Sequence, residues 1–289
     1  MKSQIFSVGS VDEAFLACAE HIIKYGRSVS PRGDGTLEIP TSIVEISDPT
    51  KSFITLKERK HPYTFMIMEL VWMLSGDTNP WITQYLKRWS DFIDDIHGES
   101  RLMGAYGPRI RSVFGIDQLR YVVDKLTKDQ NSRQAFITIS NPAVDHLGYR
   151  DTPCTTGFQF FIRDNELEMT ATMRSNDLLL GACTDWFNFC SIQGLLASIL
   201  GVELGAYRHV ANSLHVYKRD IEKVERILAD RTILIPDIPV IDRSYTSLDQ
   251  VYDDASYGKN LKLTGQVPNN VRYLSELMRF VHAKNLAKA

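Results

Sequence analysis

The sequence predicts an α/β (α+β) fold in a single domain spanning residues 1–289. Two kinds of pattern carry that expectation. Val11–Tyr25 and Asp117–Lys128 place apolar residues at helical spacing. Phe158–Ile162 and Leu167–Thr172 are strand-like runs, and Arg163-Asp164-Asn165-Glu166 between them has turn chemistry. No Pro/Gly/Ser-rich linker divides the chain, and 289 residues at 44% hydrophobic suffice for one large domain.

In chain order, Val11–Tyr25 carries Asp12 and Glu13 in its first turn, as an amphipathic helix should. Arg32-Gly33-Asp34-Gly35-Thr36 reads as a flexible loop bearing a cation, entering the strand-like Leu37–Ile39. It suits either an anion or a plain hairpin turn with a solvated Arg. Tyr63–Ser75 is apolar except for Glu69, and a lone carboxyl in a buried helix is costly unless hydrogen-bonded or functional. Gly76-Asp77-Thr78-Asn79-Pro80 ends that helix. Thr83–Ile93 resumes helical character and displays Trp89 and Phe92, as a ring-binding wall or as core. Ala105-Tyr106-Gly107-Pro108 reads as a turn. After Asp117–Lys128 and Asn131-Ser132-Arg133-Gln134 comes a strand at Ala135–Ile139. Asp185–Leu200 reads as a buried helix with Gly201 past its end. Val210–Val216 is strand-like, Tyr217–Ala229 a charged helix, and Val271–Asn285 a terminal helix. Between Ile233 and Val271 the signals are weak.

The totals narrow the function classes. Net charge is −2, whereas a protein that mainly holds a nucleic-acid backbone needs a basic surface. A local basic pocket for one phosphate remains compatible. MKSQIFSVGS has no apolar leader core and no run of about eighteen apolar residues occurs, so no membrane partner is expected. Cys18, Cys154, Cys183 and Cys190 match no zinc-ligand spacing and are too few for a disulfide scaffold. No metal is expected, and a reduced, cytoplasmic setting is.

The chemistry concentrates in Thr152–Asp185. Cys154 enters the first strand of the expected hairpin and Arg174 leaves the second, so thiol and guanidinium meet at one end. An Arg beside a thiol lowers its pKa and makes thiolate available as a nucleophile.

These residues resemble the thymidylate synthase family. Pro153-Cys154, Gln159-Phe160, Arg174-Ser175-x-Asp177, Gly181 and His215-x-Tyr217 follow in the family's order and spacing. Upstream, Glu69-Leu70-x-Trp72-x-Leu74-x-Gly76-Asp77-Thr78-Asn79 looks like the helix that carries its catalytic Glu, and Tyr106-Gly107 and Ser132-Arg133 also match. The resemblance runs from about Arg32 to Tyr217, leaving a C-terminal extension from about residue 220 without a clear match. It implies a mixed, twisted β-sheet packed with helices, with the sheets forming the interface of a homodimer.

The departures are informative. Thr155 follows the nucleophile where the family has His, and Ser213 precedes the late His where it has Asp. Asp185 stands where it has Asn. With Met173-Arg174-Ser175-Asn176-Asp177, this is similar to the phage deoxycytidylate hydroxymethylases, the branch that works on cytosine. Such a chain would work in a host cytoplasm. An Asn amide satisfies the O4 acceptor and N3–H donor of uracil. An ionised Asp accepts from the cytosine amino group and stabilises N3 as it gains a proton during addition at C6. The alternative is an Asp that merely caps the following helix.

The resemblance implies a nucleotide C5 one-carbon transferase using 5,10-methylenetetrahydrofolate, with dCMP converted to 5-hydroxymethyl-dCMP. Cys154 would add to C6, Glu69 would serve proton transfers, and Asp185 with Gln159 would hold the base. Arg32, Arg174 and Ser175 would hold the phosphate, joined by Arg133 of the other subunit in a shared site. His215 and Tyr217 would bind the sugar, and Asp177, Trp89, Trp186 and Tyr106 the folate. Ser175 and Arg133 favour a deoxyribonucleotide. The same residues are compatible with a dCMP methylase, a CMP or dUMP hydroxymethylase, or a thymidylate synthase. Outside that chemistry stand a cysteine hydrolase using Cys154 with His215, and an inactive nucleotide-binding protein.

Overall fold

A computed structural model describes residues 3–234 and 237–287. In chain order the strands are β1 (Gln4–Val8), β2 (Arg27–Val29), β3 (Thr36–Ile46), β4 (Asp94–Ile96), β5 (Glu99–Arg101), β6 (Phe136–Thr138), β7 (Thr155–Arg163), β8 (Glu166–Met173), β9 (Asn176–Asp177) and β10 (Glu203–Tyr217). The helices are α1 (Val11–Tyr25), α2 (Tyr63–Ser75), α3 (Tyr106–Arg111), α4 (Gln118–Lys128), α5 (Pro142–Asp145), α6 (Cys183–Leu200), α7 (Ile221–Ala229), α8 (Leu248–Ser256), α9 (Leu261–Thr264) and α10 (Tyr273–Leu286).

Local chemistry sets the main boundaries. Ser10 caps α1, its hydroxyl accepting from the Glu13 N–H at 3.3 Å, and Asp12 and Glu13 favour the positive end of the helix dipole. Asp117 caps α4 in the same way, at 3.1 Å from the Arg120 nitrogen. Gly76 and Gly201 end α2 and α6 in the left-handed region, with φ of 67° and 69°. Asp164 and Asn165, at φ of 50° and 62°, close the β7–β8 hairpin. Positive φ at both central residues matches the twist of the flanking strands.

The main sheet runs β1-β3-β10-β8-β7-β6, with β2 on β3 and β9 on β10. It is mixed: β1 with β3 and β10 with β8 are parallel, the other neighbours on that path antiparallel. α1 and α6 pack on one face, α2 lies against α6, and α8 and α10 lie against α2. Val251, Leu274 and Met278 from those last helices join the same buried core as Phe15 and Trp186. On the opposite face Glu45, Arg208, Thr170, Gln159 and Phe136 align across five strands. Arg208 binds Glu45 at 2.7 Å and Glu168 at 2.6 Å, while Ile5 and Phe136 are exposed.

Several expectations change. Thr83–Ile93 is not one helix but parts of two 3₁₀ turns, Trp81–Gln84 and Lys87–Phe92. The second has no fully buried residue, and only Trp89 within it packs against the core. Tyr106 opens α3 rather than a turn. Pro108 falls in its first turn, where a missing N–H costs nothing, and Gly107 lets the helix approach α2, since a Cβ there would stand 2.6 Å from the Met73 carbonyl. Tyr217 stays in β10, and the charged helix starts at Ile221. Residues 288–289 of the C-terminal NLAKA lie outside the described residues. Among the described residues no helix is long and apolar enough to cross a membrane.

Candidate active site

The hairpin brings Cys154 and Arg174 together as its connectivity requires. The Arg174 N–H donates to the Cys154 carbonyl at 2.8 Å. The Arg174 guanidinium donates to the carbonyls of Pro153 at 3.1 Å and Thr152 at 3.0 Å, which holds an exposed cation whose charge acts on both the thiol and Asp151. Arg32 lies on the turn Pro31–Gly33 at φ 53°, and its charge also acts on Cys154. That turn is tied to the end of β10, because Lys218 N–H donates to the Gly35 carbonyl at 2.8 Å and Arg219 pairs with Asp34.

Proximity of an Arg does not by itself lower the thiol. Burial pushes Cys154 up, and Asp185 and Asp151 add to it; Arg174 and Arg32 pull down but do not win. The expectation of a depressed thiol is therefore corrected for the free protein: desolvation outweighs the guanidinium. The Thr155 N–H donates to the Tyr106 hydroxyl at 3.3 Å, fixing the backbone just past Cys154.

Two carboxyls lie close enough for the charge of one to act on the other. Glu69 on α2 accepts from the Asn188 amide at 2.8 Å and is pushed up to about 8, first by burial and then by Asp185. Asp185 lies in the first turn of α6 and is pushed up to about 7 by burial, partly offset by Asn176. Its Oδ2 accepts from Asn176 Nδ2 at 2.7 Å. The cap position belongs to Ala182, so Asp185 is not the capping residue of this helix.

Asp177 Oδ1 accepts from the N–H groups of Leu179 and Leu180, and its buried Oδ2 has no protein partner. It pairs in register with His215, whose ring meets Tyr217 edge-on at 5.3 Å. Ser175 lies between Arg174 and β9. Trp89 is half-buried against Phe65 and Trp72.

Three expected site residues stand elsewhere. Trp186 is completely buried, edge-on to His209, and offers no surface to a ligand. Gln159 directs its amide to the Ala135 and Arg133 carbonyls on the face away from α6. It lies five residues along β7 from Cys154, roughly 16 Å at the usual rise. Arg133 is exposed, and its carbonyl accepts from the Gln159 amide at 3.4 Å. Asn176, Asn188 and Asp151 were not singled out from sequence. Asp151 accepts from the Gly104 N–H at 3.1 Å and is pushed up to about 6 by burial.

Fold and site together define a class: a mixed-sheet α/β protein with a thiol, two guanidinium groups and two buried carboxyls converging at one end of its central hairpin. The chain belongs to the thymidylate synthase family, whose sequence model matches residues 13–263. The match passes Tyr217, where the quoted motifs stop, and takes in α7, α8 and the start of α9. Among curated proteins it is similar to the deoxyuridylate hydroxymethyltransferase of Bacillus phage SP01, 31% identical over 231 residues, 74% of this chain and 59% of that protein. The deoxyuridylate hydroxymethyltransferase of Delftia phage PhiW-14 is 29% identical over 219 residues, 71% of this chain and 60% of that protein. The chain thus spans about three fifths of the length of these relatives.

Proposed function

We propose that this protein transfers a one-carbon unit to C5 of a deoxypyrimidine monophosphate and releases the 5-hydroxymethyl product, with dCMP as substrate. The observation that carries the reading is a carboxyl, Asp185, held by an amide and close enough to Cys154 and Glu69 for its charge to act on both. The hydroxymethyl outcome is supported by the two phage relatives, whose names state it for deoxyuridylate.

Cys154 Sγ adds to C6 of the ring, and the nucleotide phosphate is taken by Arg174, Arg32 and Ser175. Asp185 accepts from the cytosine amino group and stabilises N3 as it is protonated. Glu69, neutral or ionised near pH 8, gives and takes protons at the ring. The unpartnered Oδ2 of Asp177 fits the N–H donors of a pterin, and Trp89 offers a partly exposed ring. Methylenetetrahydrofolate, when bound, supplies the one-carbon unit. His215 and Tyr217 reach the sugar, whose deoxyribose form is favoured by Ser175 and Arg133. A homodimer through the half-exposed sheet face is supported by Ile5, Phe136 and the remote Arg133. Residues 1–289 act as one domain, supported by the shared core.

A specific observation favours dUMP as a second reading. A carboxyl pushed up to about 7 is partly neutral at neutral pH, and a neutral carboxyl offers one donor and one acceptor, as an amide does. The hydrolase reading lacks a residue to orient His215: Ser213 stands where the family has Asp, and its hydroxyl donates to Glu38 at 2.6 Å.

Incubation with methylenetetrahydrofolate and either dCMP or dUMP, followed by product mass, tests the proposal. A gain of about 30 mass units on dCMP is expected; about 14 would mean hydride rather than water reached the carbon. Turnover of dUMP alone would replace the cytosine reading with the uracil one.

A further inference from the structure

We propose that Asn176 is a positioning residue for base choice, holding one oxygen of Asp185 as an acceptor and so fixing which pyrimidine edge that carboxyl reads. The inference rests on the base-reading role of Asp185 proposed above.

Three elements converge on one oxygen. Asn176 opens β9, where its backbone pairs with Leu214 of β10, so the sheet fixes its place. Its Nδ2 donates to Asp185 Oδ2 at 2.7 Å. Gly181, in the turn that leads into α6, closes the remaining side. A Cβ at Gly181 would stand 3.2 Å from Asn176 Nδ2 and 3.4 Å from Asp185 Oδ2, so the missing side chain leaves just the room the pair needs. Asn176 is buried and its own Oδ1 has no partner. An orphaned buried carbonyl costs stability that an apolar residue would not, so stability alone does not account for an Asn here.

The consequence is an asymmetry between the two oxygens of Asp185. An oxygen that already accepts an N–H holds a proton less well, so a proton on this carboxyl goes to Oδ1. Oδ2 then presents lone pairs in either state, while Oδ1 accepts when the group is ionised and donates when it is neutral. The ionised pair suits the amino group and protonated N3 of cytosine. The neutral pair offers uracil the donor and acceptor of an amide. Around Asp185 stand Glu69 from α2, Tyr106 from α3, Cys154 at the start of β7 and Tyr207 from β10, each of which feels its charge. None is a cation. The Asn176 amide is what opposes burial and favours the ionised form.

Four proteins decide it: the wild type, Asn176→Ala, Asn176→Leu and Asn176→Ser. Each is assayed for kcat/KM with dCMP and dUMP between about pH 5.5 and 9, across the expected titration. For the wild type, dCMP activity should rise with pH as Asp185 ionises. In Asn176→Ala and Asn176→Leu the midpoint should move up by about one pH unit, and the dCMP-to-dUMP ratio at neutral pH should fall roughly tenfold, mainly through kcat. Asn176→Ser keeps a donor and should recover part of both. Alanine leaves space and leucine fills it, so agreement between them separates the lost donor from altered packing; either alone suffices if the other does not fold. A structural Asn would lower the melting temperature and both activities together. An unmoved midpoint and ratio in the folded donor-less variants overturns the inference while leaving the functional reading intact. If Asp185→Asn, measured alongside, keeps the wild-type ratio, or the wild type prefers dUMP throughout, the cytosine reading falls and the inference with it.

Discussion

Asp254 and Asp185 are both buried carboxyls, and the protein treats them in opposite ways. Asp254, on α8, takes two donors from Arg272 at 2.6 and 2.8 Å, the Tyr245 hydroxyl at 2.8 Å and the Asn270 amide at 2.9 Å. Burial raises it, but those donors outweigh burial and hold it below the ordinary carboxylate range. Asp185 has a single amide donor and is pushed up to about 7; Glu69 has one, from Asn188, and is pushed up to about 8. Where four donors meet one carboxyl they outweigh burial, and where a single amide does, burial wins. The C-terminal helices complete their own polar network, whereas Asp185 and Glu69 each have one amide donor.

Removing the nucleophile should separate the two regions furthest. Cys154→Ala should lose turnover by about 10⁴-fold or more while nucleotide affinity, read by calorimetry, stays near that of the wild type. Persistent exchange of the C5 proton of dCMP with solvent in that variant would rule out covalent catalysis by Cys154. No comparable loss is expected from changes around Asp254.

On the structural side the effect should appear in stability. Arg272→Met leaves Asp254 buried without its charge partner, which costs about 3–5 kcal/mol. Denaturant titration measures it. A loss below about 1 kcal/mol, the scale of an exposed pair, would mean the network is peripheral and the contrast with the cleft unfounded.

How much of this was legible in the sequence follows the same division. α1 and α2 were readable to the residue, because apolar spacing, Asp12 and Glu13, and Gly76 all point the same way. The hairpin and the meeting of Cys154 with Arg174 followed from alternation and a two-residue turn. α8 was missed although its signal was present: Ser247 accepts from the Gln250 N–H, and the Gln250 side chain accepts from the Thr246 N–H at the helix entry. Its short apolar stripe was hidden among charges. Glu69 and Asp185 stood out as carboxyls in apolar runs. Their partners Asn188 and Asn176 did not, because those pairs exist only once α6 packs across α2 and β9. Trp186 and Gln159 were misplaced for a related reason: spacing gives a residue's order along an element, not which of its faces looks into the cleft.

The smallest expected effect is a difference in slope with pH. Asp185 has an ordinary value of 3.8 and is raised to about 7 in the folded protein. Its contribution to stability is therefore fully present below about 3.8 and is lost as pH rises toward 7, since ionising it in the cleft costs more than in the unfolded chain. Glu69, raised from 4.5 to about 8, adds a loss of the same sign. Asp254, lowered from 3.8, contributes stability above that value and loses it only in acid, so it adds no slope between pH 5 and 8. Asp151, raised from 3.8 to about 6, has the same sign, and Asp185→Asn removes one of these downward slopes. Its melting temperature should approach the wild-type value near pH 5 and exceed it by about 3–6 °C at pH 8. Asp254→Asn should melt lower than the wild type by a constant amount over the same window. Parallel curves for Asp185→Asn and the wild type would mean that this carboxyl titrates near its ordinary value, and the single amide of Asn176 would then suffice to offset its burial.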